Sequence, residues 1–208
     1  MTDRVFIYGA GRIGRSLGSA IQANGKQHGL MLCGAWNRSF KRAFSTSRIL
    51  DVEVSSGDAL PDQALKADIV ILSVADDAVT IMAEGLARHL SHKQRLLHTS
   101  GSLPSTVMNI NGMKARLGGC HPLQSVPNDD GDWALFDGAT FAIEGHPDAC
   151  EDARRVTAAA GGAPLDITPE GKVFYHAAAV ISANYLTVLT DTARALYQQA
   201  GLDANTAI

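Results

Sequence analysis

Short apolar runs alternate with stretches whose apolar residues recur every third or fourth position along most of the chain. The first run, Val5, Phe6, Ile7 and Tyr8, has strand composition, and beyond it Leu17, Ala20 and Ile21 repeat at helical spacing. A second apolar run spans Leu30 to Trp36, and Val52 to Val54 makes a short strand candidate. The stretch from Asp68 to Asp76, "DIVILSVAD", is apolar on both faces, as in a strand buried within a parallel sheet. "AVTIMAEGLARHL" returns to helical periodicity, while "RLLHTSG" and "ARLGGCHPLQS" read as strands running into turns. "ATFAIEG" is another strand, and "APLDIT" a last short one. The helix predicted between them has Pro147 in its first turn and Gly161 just past its end. Val126 to Gly138 is turn-rich and is expected to be a surface loop. Such alternation predicts a mostly parallel sheet with crossover helices.

From Pro169 the pattern changes. A helix of about thirty residues is predicted, far longer than the usual three or four turns. It is apolar nearly all round as far as Leu189, so it expects partners on several sides. "GLDANTAI" then reads as the opening of a further helix. The predicted organisation is a first domain over residues 1–168 and the start of an all-α second domain over 169–208, expected to be incomplete.

Between the first strand and the first helix stands "GAGRIG", with Gly9, Gly11 and Gly14 at the spacing G-x-G-x-x-G. In that context the motif is the dinucleotide-binding fingerprint of a Rossmann-type doubly wound sheet. The first glycine permits the turn, the second lets backbone approach a pyrophosphate, and the third lets helix and strand pack closely. The helix N-terminus offers N–H groups and a positive dipole end to the phosphates, here with Ile13 backbone and the Arg12 cation beside them. In this fold an acid at the end of the second strand binds a free ribose 2′-hydroxyl, whereas an Arg accommodates a 2′-phosphate. The tip here carries Asn37, Arg38 and Ser39, followed by Lys41 and Arg42, with no acid. NADP(H) is therefore expected as cofactor. Val74 and Ala75, ending the central strand, are expected beside the nicotinamide ribose.

Ligands of open parallel sheets lie at the carboxyl ends of the strands. Polar residues gather at those predicted ends: Ser73, Asp76 and Asp77; His98, Thr99 and Ser100; His121, Pro122 and Gln124. Asp76 or Asp77 is expected to cap the helix that follows. On the long helix Lys172 and His176 are one turn apart, with Asn184 two turns further. Polar groups in so apolar a helix call for partners, either in a reactive cleft or in a polar seam. His121, Lys172 or His176 could donate a proton, with Ser100 and Asn184 orienting substrate.

Composition narrows the alternatives. A formal net charge of −3 gives no sign of a nucleic-acid or anionic-membrane binder. No apolar stretch is expected to reach the length of a membrane span. Cys33, Cys120 and Cys150 form neither a disulfide framework nor a zinc spacing, which fits a reducing, cytoplasmic setting. No metal site is expected around His89 and His92. Ser100 lacks the G-x-S-x-G elbow of α/β hydrolases.

In order, "YGAGRIGRSLG", "WNRS", "SVADDAV", "HTSGS", "GCHPLQS" and "KVFYHAAAVISANYL" resemble uncharacterised bacterial Rossmann-type oxidoreductases with a C-terminal helical domain of unknown function. That family is similar in plan to pyrroline-5-carboxylate reductase, ketopantoate reductase and 6-phosphogluconate dehydrogenase. The resemblance implies NADP(H) binding and a helical domain that dimerises and closes over the nicotinamide. It also implies a small-molecule substrate held between the domains. The hydroxyacid branch places a Lys and an Asn one turn apart on the interdomain helix. Lys172 and Asn184 are separated by three times that, so the pair does not transfer directly. The function expected is NADP(H)-dependent hydride transfer to or from a carbonyl or imine carbon. The alternative is a non-catalytic NADP-binding regulator or scaffold.

Overall fold

Asp3–Tyr8 forms the first strand (β1), and the glycine-rich turn after it leads into helix α1, Arg12–Asn24. The unit repeats as β2 (Leu30–Asn37), α2 (Phe40–Leu50), β3 (Val54–Ser56), α3 (Asp62–Lys66), β4 (Ile69–Leu72), α4 (Asp76–Ala87) and β5 (Arg95–His98). Next come β6 (Arg116–Pro122), β7 (Thr140–Gly145), α5 (Pro147–Ala159) and β8 (Ala163–Asp166). The computed structural model describes residues 2–128 and 130–203. Contacts divide the chain into two units, Met1–Lys172 and Val173–Ile208.

In the first unit the eight strands form one sheet in the order β3-β2-β1-β4-β5-β6-β7-β8. Every neighbouring pair is parallel except β6 with β7. The carboxyl ends of β1, β2, β4, β5 and β6 therefore share one edge. Residues alternate between the two faces, as the pleat requires. Val5, Ile7, Ile69, Ile71 and Leu97 pack in one apolar cluster with α1 and α5, while Phe6, Tyr8, Val70, Leu72 and Leu96 pack in the other with α4. All four residues of β4 are buried. Each such side chain removed from water contributes roughly 1.5–3 kcal/mol.

Several expectations shift. The central strand ends at Leu72, so Val74 and Ala75 lie in the turn beyond it. Ser73 N–H still donates to Tyr8 O at 2.8 Å, after which the chain bends into α4. β3 sits two residues later than its apolar residues suggested. The stretch from Val126 to Gly138 is no plain surface loop. Val126 and Phe136 are buried, and Phe136 meets Phe141 edge-on at 5.4 Å. Ala75, not an acid, occupies the N-cap of α4 without a side-chain bond. Asp76 and Asp77 stand in its first turn, where their charge suits the helix dipole.

The long helix of the second unit has three parts. α6 (Lys172–Val180) passes through a π turn, Ile181–Tyr185, into α7 (Leu186–Gln199). Its 28 residues, with a mean hydropathy of 1.3 in the most apolar window, are long and apolar enough to cross a bilayer. That corrects the expectation that no stretch reaches this length. The central polar residues of the helix, Ser182, Asn184 and the threonines, carry no charge. Thr187, Thr190 and Thr192 each donate to the carbonyl four residues back at 2.8 Å, which satisfies their hydroxyls within the helix. Core helices of water-soluble proteins share this length and composition.

Candidate functional site

The three glycines of the first turn differ in what surrounds them. Gly9 has φ +93, and a Cβ there would lie 2.4 Å from Val74 Cγ1 and 2.7 Å from Ser73 O. It must be glycine for its backbone angle and for the close approach of the β4 turn. Gly14 would place a Cβ 2.7 Å from Gly9 O and 3.1 Å from Ile7 Cγ2, so helix α1 sits directly on β1. Gly11 has nothing within 4 Å of a would-be Cβ. It is the N-cap of α1, with no side-chain cap and no acid in the first turn. A cavity of about 240 Å³ opens there, lined by Arg12, Ile13, Ser125, Val126 and Pro127. Arg12 is exposed and reaches Pro127 O at 3.5 Å. This is an uncapped helix N-terminus with room in front of it, the geometry that holds a diphosphate. Ser125 to Pro127 were missed by sequence reasoning, because only the fold brings the segment after β6 back to α1.

At the tip of β2, Asn37 is buried, and its Nδ2 donates to Ala10 O at 3.1 Å and Thr46 Oγ1 at 2.7 Å. Its amide thereby ties the glycine turn to α2. Ser39 is the N-cap of α2, accepting from Arg42 N–H at 3.4 Å. Arg38 is exposed, as are Lys41 and Arg42. Arg15, absent from the sequence expectations, is buried and donates through Nε to Thr46 Oγ1 at 2.9 Å and through Nη2 to Ser45 Oγ at 2.7 Å. It braces α1 against α2. A positive tip without a carboxylate remains at the surface.

The tips of β4 and β5 are bonded to each other. Thr99 Oγ1 donates to Ser73 Oγ at 3.3 Å, and Thr99 N–H donates to Leu72 O at 3.1 Å. Ser100 is buried; its Oγ accepts from Leu103 N–H at 3.1 Å and contacts Ser102 Oγ at 3.4 Å. Ser102 Oγ in turn donates to Asp76 at 2.5 Å. The Ser100 hydroxyl thus closes a turn. His121 is half-buried near the end of β6.

Behind these tips lies a buried polar cluster. Glu144 of β7 and Lys172 have fully buried side chains, with Nζ 3.0 Å from Oε1. Ser105 donates its N–H to Oε1 at 2.9 Å and its hydroxyl to Oε2 at 2.7 Å. Gly119 leaves the space, since a Cβ there would lie 2.3 Å from Glu144 Oε1 and 2.5 Å from Lys172 Nζ. Burial lowers the Lys172 pKa, and Glu144 opposes that shift. The carboxylate was missed in the sequence; its signal is a lone Glu in the apolar strand "ATFAIEG".

His98 ends β5 with no exposed surface. Its Nδ1 accepts from Ser100 N–H at 3.1 Å, so the proton of the neutral ring is on Nε2. Nε2 is 3.9 Å from Glu144 Oε1, beyond hydrogen-bond range. Burial, then the nearby Lys172 charge, pushes the pKa down to about 3. No ion pair with Glu144 forms at neutral pH. Below its ordinary 6.5 the unfolded chain protonates His98 while the folded chain does not until about 3, so stability falls as pH falls through that window. From pH 6.5 to 5 the expected loss is about 2 kcal/mol from this group. Urea unfolding of the wild type and His98→Asn at pH 7 and pH 5 measures it. The variant, which keeps an acceptor near Nδ1, should lose about 2 kcal/mol less on acidification. An equal loss in both would remove His98 as the cause.

The other expected residues belong to the second unit. His176 is half-buried on α6, and Asn184 is exposed in the π turn. Among π turns, functional sites are frequent.

Residues 2–125 match the family model described as a Rossmann-like domain, and residues 139–208 match a domain of unknown function (DUF2520). No protein of curated function matches the sequence. Among solved structures, the chain is similar to the candidate NADP oxidoreductase BF3122 of Bacteroides fragilis, at 19% identity and a TM-score of 0.73, over 98% of this chain and 75% of that one. It is similar to pyrroline-5-carboxylate reductase of Coxiella burnetii at 17% identity and TM-score 0.71, over 100% and 74%. It is also similar to the imine reductase of Streptomyces aurantiacus at 20% identity and TM-score 0.70, over 98% and 69%. At these identities the likeness is one of fold.

Proposed function

The chain belongs to the Rossmann-like domain family, and from that premise we propose that it is an NADP(H)-dependent oxidoreductase acting on a carbonyl or imine carbon of a small metabolite. The observation that carries this reading is the open, uncapped N-terminus of α1 at Gly11. The N–H groups of Arg12, Ile13 and Gly14 would take the diphosphate, with the Arg12 side chain adding charge. The fold neighbours named as NADP oxidoreductase and reductases support the reaction class.

Arg38 would hold the 2′-phosphate, supported by its exposure at a β2 tip without a carboxylate. Ser39 would contribute backbone more than hydroxyl, since its Oγ caps α2. Val74 and Ala75 would border the nicotinamide ribose. When bound, the cofactor supplies or accepts the hydride. His121 would exchange the proton, because Ser100 closes a turn and Lys172 is paired with Glu144.

Nucleotide titration followed by nicotinamide fluorescence tests the reading. NADPH is expected to bind at least about tenfold tighter than NADH, and Arg38→Ala should erase most of that preference, about 1.4 kcal/mol or more. A carbonyl and cyclic-imine screen follows, in which His121→Gln should bind NADPH and lose turnover. Binding of neither nucleotide would overturn the reading.

A further inference from the structure

A second cavity, of about 520 Å³, opens in the first unit at the edge where β6 begins. The cavity lies at the first residues of β6 (Arg116–Pro122), about 10 Å along the sheet from the β5 tip, where His98 pairs with Gly119. It is separate from the α1 N-terminus, and the proposed redox reaction gives it no task. Its polar lining is His92, Ser105, Thr106, Asn109, Lys114, Arg116 and His146, of which Ser105 already gives its N–H and hydroxyl to Glu144. No Asp or Glu is among the described residues that line it. Lys114 and Arg116 carry the positive charge of this lining. Asp148 pairs with Arg116 from outside the lining. A guanidinium has five donors, so one carboxylate partner leaves donors for a ligand. His146 is the N-cap of α5, and its Nδ1 accepts from Asp148 N–H at 3.2 Å. Its proton is thereby on Nε2, a donor. Leu117 adds an apolar surface.

We propose that this cavity binds a small phosphate monoester, a second ligand site independent of the nucleotide site. Three terminal phosphate oxygens match a ring of Lys, Arg, imidazole, hydroxyl and amide donors better than the two oxygens of a carboxylate. The apolar surface takes the organic body, and the volume is that of a metabolite pocket.

Phenyl phosphate is the probe, titrated into the full chain at fixed ionic strength and followed by amide NMR shifts. Saturable shifts are expected at Lys114, Leu117 and His146, with none from phenol at equal concentration. Lys114→Glu, an exposed position, should weaken binding at least about tenfold while leaving the unfolding midpoint unchanged. Arg116→Ala should weaken it too, but also loses the Asp148 pair, so Lys114→Glu decides. The proposal falls if there is no saturable shift, if phenol shifts the same residues, or if Lys114→Glu binds as the wild type does. It falls also if inorganic phosphate binds as tightly as the ester. Shifts confined to Arg12, Ile13 and Ser125 would instead place the phosphate at the nucleotide cavity and overturn this second site.

Discussion

Glu144→Ala is expected to lower the free energy of unfolding by about 3–5 kcal/mol, because it strands the Lys172 ammonium in the interior. Two further bonds go with the carboxylate, those from Ser105 N–H and Oγ–H. For a domain whose whole stability is about 5–15 kcal/mol, that is about a fifth or more. The mechanism is the orphaned charge, so removing the charge as well should restore stability. Glu144→Ala with Lys172→Met is expected to recover at least about half of the loss, since apolar replacement of buried ion pairs is often neutral. Urea unfolding followed by circular dichroism gives both values and their coupling. A single-variant loss below about 1 kcal/mol would show that the pair is solvated in solution.

The second large effect separates two glycines that the sequence motif treats alike. Gly9→Ala must adopt φ near +93 and bring a methyl to 2.7 Å from Ser73 O. That carbonyl belongs to a residue whose N–H is bonded to Tyr8 O, so it is poorly placed to retreat. A loss of about 2–4 kcal/mol is expected from strain and overpacking together. Gly11→Ala meets nothing within 4 Å, at φ −78, and should change stability by less than about 1 kcal/mol. Its methyl would stand where the diphosphate is proposed to approach, so NADPH affinity should fall at least about tenfold. Thermal unfolding and nucleotide titration of both variants give the four numbers. A stable Gly9→Ala, or a Gly11→Ala that binds NADPH normally, would contradict the role assigned here.

The alternation of strands and helices was legible because each buried strand is a continuous apolar run, as "IVIL" in β4 shows. The glycine turn was legible because its spacing encodes three backbone requirements at once. What escaped the sequence depends on partners far apart in the chain. Glu144 and Lys172 meet only because antiparallel β7 sets Glu144 opposite Gly119, which has no side chain to block them. Val126 and Phe136 look like loop residues until the sheet gives them a core to enter. At the β2 tip the residue types suited a ligand, yet Asn37 and Ser39 spend their side chains on Ala10, Thr46 and the α2 backbone. Short polar side chains serve caps and ligands equally well, and sequence alone does not separate the two uses.

The π turn at Ile181–Tyr185 alters how the long helix should be read. A wider turn takes up an additional residue, and one residue on an α-helix is about 100° of rotation. Positions in α7 are therefore out of phase with those in α6 by roughly that angle. A helical wheel drawn with one uninterrupted period superimposes two differently oriented apolar stripes, and they fill each other's gaps. The polar side of α7 is therefore blurred in that projection. Plotted on its own, α7 has an apolar seam and a polar side, whereas α6 is polar only at Lys172 and His176.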